Sequence, residues 1–267
     1  MFLAFRCDGN SANAALTLPI AFTSPGLYFG SFRLINVRQF NQYVSGRFYD
    51  KTFYAPKDTI PLNDISGGAS SGSSCFDDPG EFCLRPSLAG FGDIPTWSSY
   101  VLSPAAMYNP SIMRAPDGEG DPGWRNPWTV PASFRSPAMG QAAYPSLKTH
   151  MLEHHWLQNR RAECNAAFSP GSYSGCEPYY FNMAFESTPM TLFYDGHVAP
   201  VGTREAQRAD GRQLAQTNGV AGLWHRNTSY GANGYFINAS YDNDVDTSYH
   251  ILTTDGIKGR DLTAQAP

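Results

Sequence analysis

The stretch Met190-Thr191-Leu192-Phe193-Tyr194-Asp195-Gly196-His197-Val198 constrains the fold more than any other. Thr, Leu, Phe and Tyr suit a pleated, half-buried surface. Asp-Gly between apolar runs is a strong hairpin signal, because Gly accepts the positive φ that a tight turn needs. The stretch therefore reads as a strand, a turn at Asp195-Gly196, and a return strand starting at His197-Val198. An aromatic run meeting Asp-Gly-His at a turn is either a structural corner or the lip of a site.

The 267 residues are enough to bury a full core, and 25 Gly with 20 Pro imply many turns and short strands. Phe32, Ile35, Phe40 and Tyr43 recur at roughly helical spacing, which predicts a helix over 30–44 stopped by Gly46. The alternating aromatics of 47–56 predict a strand ending at Pro56, and 97–102 a second one. Residues 59–93 read as a long polar insertion. Residues 104–145 carry eight of the 20 prolines and read as a surface loop ordered by Trp124, Trp128 and Phe134 or by partners. Residues 145–157 suit a short helix or an irregular strand. Thr203 to Gln216 predicts a helix, with Thr203 as N-cap and Glu205 in its first turn. Residues 219–241 read as a loop holding Trp224, and Thr247–Thr254 as a last strand leading into Asp255-Gly256. The sum is one α+β domain over 1–267: a small antiparallel sheet backed by one or two helices, with long irregular loops at 59–93 and 104–145.

Charge narrows the partners. Lys and Arg (19) nearly balance Asp and Glu (23), for a net charge of −4, so no basic field exists to hold phosphate backbones and nucleic acid is discounted. Few charges (16%) with many aromatics (14%) suit surfaces that meet other surfaces or sugars. No run reaches the roughly 18 apolar residues of a membrane span, and Met1–Phe5 is too short for the core of an export signal. Among five cysteines, Cys75 with Cys83 and Cys164 with Cys176 each bracket a turn-forming loop, the arrangement of a local disulfide. Each closure would contribute roughly 2–3 kcal/mol. Neither pair has Cys-x-x-Cys spacing, and disulfides place the chain outside the cytoplasm. Cys7 is left over.

Three candidate chemistries follow. His150 and His154 are four apart and would share a helix face, as helical zinc pairs do; with Asp195 or His197 as third ligand and Glu153 as base they would make a hydrolytic zinc site. The order here is His-Met-Leu-Glu-His-His rather than His-Glu-x-x-His, and the bland alternative is a cluster that caps and hydrogen-bonds loops. Asp242, Asp244 and Asp246 alternate, and Asp255-Gly256 is followed by Asp261. Hard oxygen donors beside Gly suit calcium, the alternative being plain polar turns. Gly-x-Ser-x-Gly is absent, and the carboxylate pairs Asp77/Asp78 and Glu119/Asp121 sit in solvated contexts, so no catalytic residue is assigned.

Two segments resemble a known family. Leu192-Phe-Tyr-Asp-Gly-His-Val198 resembles the Leu-Phe-Ala-Asp-Gly-His-Val signature of prepilin-type proteins of planctomycetes and related bacteria, with Phe185 where many of those carry His. Tyr249 to Leu262 is similar to the end of the major pseudopilin of type II secretion, where a strand enters a calcium loop. Residues 47–58 also look like the segment after the pilin helix. The resemblance implies Asp255 and Asp261 as calcium ligands with Thr253 and Thr254 at the loop entrance. The long apolar pilin helix has no counterpart before Phe32.

The expectation is a non-catalytic, extracytoplasmic pilin-like or pseudopilin-like protein, secreted, periplasmic or at the cell surface. It would meet copies of itself or other surface and secretion proteins through aromatic loops. The alternatives are a secreted zinc hydrolase using His150 and His154, and a carbohydrate-binding module presenting Trp97, Trp124 and Trp128.

Overall fold

The computed structural model describes residues 19–20, 22, 30–33, 43–47, 49–56, 58–67, 74–78, 84–86, 93–95, 98–153, 187–230 and 249–264. Within these the strands are β1 (Leu84–Pro86), β2 (Asp93–Pro95), β3 (Tyr100–Leu102), β4 (Thr149–Glu153), β5 (Met190–Phe193) and β6 (Val198–Pro200). The helices are α1 (Thr59–Ile65) and α2 (Thr203–Gln216). β1 and β2 form a two-stranded ribbon; β3-β4-β5-β6 form an antiparallel four-stranded sheet in that order. The fold is α+β with long irregular connections.

The hairpin forms where expected. Leu192 lies opposite Val198, the Phe193 N–H donates to the His197 carbonyl at 3.0 Å, and the Gly196 N–H donates to Phe193 at 3.0 Å. Three residues thus make the loop, and Gly196 takes φ +90°, the left-handed position such loops reserve for Gly.

The period of two in the strands sorts side chains onto two faces. Val101, Leu152, Thr191 and Ala199 are in register on one face, with Phe193 two residues along from Thr191. That face packs into the main core with Ala206 and Ala209 of α2 and with Trp224, Tyr249, Ile251 and Leu252. On the opposite face, Tyr100, Leu102 and Met151 pack against a second cluster of Tyr49, Phe53, Tyr54, Ile65 and Cys75. That cover stops short of the β5–β6 end, where Met190 and Val198 stand exposed.

α2 spans the residues expected, but Gly202 is its N-cap and Thr203 its first helical residue, buried against Ser187, whose carbonyl accepts the Thr203 N–H at 2.8 Å. Gly211 faces open space, so its helical position costs propensity only. Asp210 is buried on the same helix; it accepts the Leu223 N–H at 2.7 Å and pairs with Arg226, which lies over Trp224.

Several expectations need correction. Residues 47–56 are not a strand: Lys51–Phe53 is a 3₁₀ turn, because Asp50 takes the Thr52 N–H (2.9 Å) and hydroxyl (2.6 Å) that a ladder would need free. The polar insertion at 59–93 contains α1, whose Ile65 is buried in the second cluster. The helix expected over 30–44 is a 3₁₀ turn at Ser31–Arg33 and a turn over 43–46, while 34–42 lies outside the described residues. Of the two readings of 145–157, a short helix or an irregular strand, the strand is the one found at 149–153, with a register shift between Thr149 and Met151. Within 249–254 the last strand reduces to one bridge, Trp224 to Thr253, because His250 takes φ +61° and cannot continue an extended run.

Residues 104–145 hold four 3₁₀ turns, three of them opened by Pro at Pro104, Pro110 and Pro127. Asn109 and Asn126 cap two of these by accepting the Ser111 and Trp128 N–H groups, each at 3.0 Å. The first third of this segment is core: Ala105, Tyr108, Ile112 and Met113 are buried. Among the described residues, no helix is long and apolar enough to cross a membrane.

Candidate functional site

The chemistry-bearing residues of the sheet gather at three places. The first is the hairpin turn. Asp195 Oδ1 accepts the backbone N–H of His197 at 3.1 Å and lies 2.6 Å from its ring Nδ1, while the His197 ring stacks on Phe193 at 4.2 Å. The hydrogen bonds from the His197 side chain and backbone hold the Asp195 carboxyl below its ordinary range. His150, on β4, packs its ring against Tyr194 at 4.7 Å, and burial, helped by Lys148, lowers its pKa and keeps it neutral. The turn therefore uses Asp195 and His197 on each other, and His150 on an aromatic ring.

The second place is a buried polar node at the entrance to β4. Lys148 is 0% exposed and Asp261 1%. Lys148 Nζ donates to Asp261 Oδ2, Ser103 Oγ and Thr253 Oγ1, each at 2.8 Å. Asp261 Oδ2 also accepts the Thr149 N–H at 2.9 Å; Oδ1 accepts the His250 N–H at 3.0 Å and the Thr253 hydroxyl at 2.6 Å. The Ser103 hydroxyl in turn donates a hydrogen bond to the His250 carbonyl. Burial alone would raise Asp261, but Lys148 and these donors hold it below the usual carboxylate range. His250 is pushed down to about 3 by burial, so its imidazole is neutral and adds no competing cation. An ion pair this deep is tolerable only because every charge-bearing atom has partners.

A Ser–Lys contact can in principle make a nucleophile. Ser103 cannot act so, because it is buried and its proton is committed to a backbone carbonyl. The node is a tether that ties the C-terminal loop to the sheet. Asp261 was expected to coordinate calcium; a cation at its carboxylate would have to displace Lys148, whose ammonium already collects three oxygens there. Asp255 takes φ +63°, and its Oδ1 accepts the Ala115 N–H at 2.9 Å.

The third place lies between the sheet and the second cluster. Asp58 is buried, accepts the Ser99 hydroxyl at 2.6 Å, and is pushed up to about 7 by burial, with Glu153 adding to the effect. Glu153 is also raised by burial while its Oε2 accepts the Met190 N–H at 2.8 Å. Burial, Glu153 and Asp58 together raise the Tyr100 phenol. Glu153, expected as the base of a zinc site, thus faces Asp58 and Tyr100.

His154, Asp242, Asp244, Asp246, Trp97, Cys7, Cys83, Cys164 and Cys176 lie outside the described residues. Among the described residues, no three His, Cys, Asp or Glu side chains come together as metal donors. Cys75 is disulfide-bonded and packs in the second cluster; the pairing expected with Cys83 lies outside the described residues. Trp124 is partly buried and packs against the main core, its ring 5.0 Å from Phe22, whereas Trp128 is 59% exposed. Phe134 stands edge-on to Trp128 at 5.0 Å, and Met139 and Tyr144 are exposed on the same segment.

Sequence reasoning missed Lys148 and Asp58. A Lys directly before a strand of buried residues was the available signal for the first. Asp58 carried none beyond its place before an apolar run. Compared with protein-family models, with curated proteins and with solved structures, the chain shows no match to any.

Proposed function

We propose that this is a non-catalytic, extracytoplasmic protein of pilin-like or pseudopilin-like type that works by surface association. The observation that carries the reading is the set of exposed apolar side chains of the 127–144 segment: Trp128 and Met139 stand on capped 3₁₀ turns, Phe134 lies edge-on to Trp128, and Tyr144 is exposed further along. Aromatic and Met side chains held in a fixed conformation are the residues that carry binding energy at protein interfaces, since little side-chain entropy is lost on contact. Several carboxylates and histidines of the described residues support it from the other side: Asp50, Asp195, Asp210, Asp255, Asp261 and His225 each hold a turn or a loop in place. The disulfide at Cys75 favours an oxidising compartment.

Sedimentation velocity across a concentration range tests this. Wild type is expected to self-associate, or to bind other surface proteins of its source, and Trp128→Ser with Phe134→Ser to weaken that association at least tenfold without lowering thermal stability. Association unchanged in the double variant overturns the reading. The exposed Trp128 face also suits a sugar ring. Quenching of Trp fluorescence by glycans, lost in Trp128→Ser, would shift the reading to a carbohydrate-binding module. Zinc hydrolysis has weaker support, because His150 is turned onto Tyr194.

A further inference from the structure

We propose that Lys148 and Asp261 condense into an intramolecular amide, a covalent cross-link between the entrance to β4 and the C-terminal loop. The arrangement is that of reactants held for acyl transfer. Nζ lies 2.8 Å from Asp261 Oδ2, and contacts to Ser103 Oγ and Thr253 Oγ1, each 2.8 Å, fix its approach. Such fixed proximity replaces a bimolecular encounter. The two carboxylate oxygens are held differently. Oδ1 takes the His250 N–H and the Thr253 hydroxyl, two donors placed where negative charge builds up when the carboxyl carbon is attacked. Oδ2 takes the Thr149 N–H and the ammonium itself, so the leaving oxygen is next to its proton source.

The step balances without any co-reactant. One proton passes from the ammonium of Lys148 to Asp261 Oδ2, giving a neutral amine and a carboxylic acid. The nitrogen lone pair attacks Cγ, and Oδ1 becomes the oxyanion. A second proton moves from nitrogen to Oδ2, the Cγ–Oδ2 bond breaks with its electron pair, and water departs. The amide nitrogen keeps the third proton, and nothing is oxidised or reduced. The ion pair, with Asp261 held below its usual range, is the resting state, and the neutral pair is the minor state from which attack occurs; complete burial eases the ammonium's loss of a proton and opposes the return of water. Consistent with this, burial lowers the Lys148 pKa against the pull of Asp261. The product would lock the C-terminal loop permanently, with no metal needed.

Intact mass spectrometry of the full chain after disulfide reduction is the test. The mass is expected to fall below the sequence value by one water, and digestion to yield one branched peptide carrying Lys148 and Asp261. Asp-Gly sites such as Asp195-Gly196 and Asp255-Gly256 can also lose water as cyclic imides, so the branched peptide decides. Asp261→Asn should reach the same final mass by releasing ammonia, and Lys148→Met should stay at its full sequence mass. A wild-type mass equal to the sequence value, or a water loss mapped elsewhere, overturns the proposal whether or not the variants fold.

Discussion

Replacing Asp58 with Asn is expected to remove a pH dependence of stability that the wild type carries. Asp58 is buried, and burial moves its carboxyl from 3.8 to about 7, the Ser99 hydrogen bond opposing the shift and Glu153 adding to it. The folded protein therefore holds a proton on Asp58 in a range where the unfolded chain has lost it. Stability present below the unfolded value declines as pH rises towards and through about 7. Between about pH 5 and about pH 8 this one group removes roughly 2–3 kcal/mol. Asn keeps an acceptor for the Ser99 hydroxyl and never ionises. Urea midpoints at both pH values, for both proteins, isolate the effect from all other titrations. Wild type should lose roughly 2–3 kcal/mol more than Asp58→Asn over that interval. Parallel losses would refute the claim that Asp58 is buried neutral, and with it the placement of the 49–66 segment on the sheet.

Two further perturbations follow from the same packing. Lys148→Met leaves the Asp261 carboxylate buried without its cation, which should cost at least about 3 kcal/mol; a loss below about 1 kcal/mol by urea denaturation would contradict the described node. At Gly259 an added Cβ would stand 1.8 Å from the Thr254 carbonyl oxygen, so Gly259→Ala must shift backbone at the C-terminal loop. A fall in thermal midpoint corresponding to more than about 2 kcal/mol is expected, and an unchanged midpoint would argue against that close approach.

What could be read in the chain depended on whether a local rule decided the outcome. The 190–198 hairpin was legible because turn chemistry and alternation agree there, and α2 because Thr203 and Glu205 mark its first turn, although Gly202 is the N-cap. Residues 47–56 alternate as a strand should, yet Asp50 satisfies nearby backbone with its own side chain and bends the segment into a 3₁₀ turn. The run at 249–254 has strand composition, but the backbone of His250 is recruited by Asp261 and Ser103, both distant or across a loop in sequence. Long-range partners of that kind leave no trace in spacing. The same holds for Lys148: nothing local distinguishes a solvated Lys from one that meets a carboxylate 113 positions away. Asp255 and Asp261 illustrate the reverse: their spacing suits a cation loop, but the folded chain gives each of them protein donors.

Hydroxyl-radical footprinting at low and high protein concentration, and with partner proteins from the source envelope, tests the central claim most directly. Association through the 127–144 face predicts protection of Trp128, Phe134, Met139 and Tyr144, with Met190 at the far end of the sheet oxidised as before. Association that leaves those four side chains as reactive as in the dilute protein, or that protects Met190 instead, would contradict it.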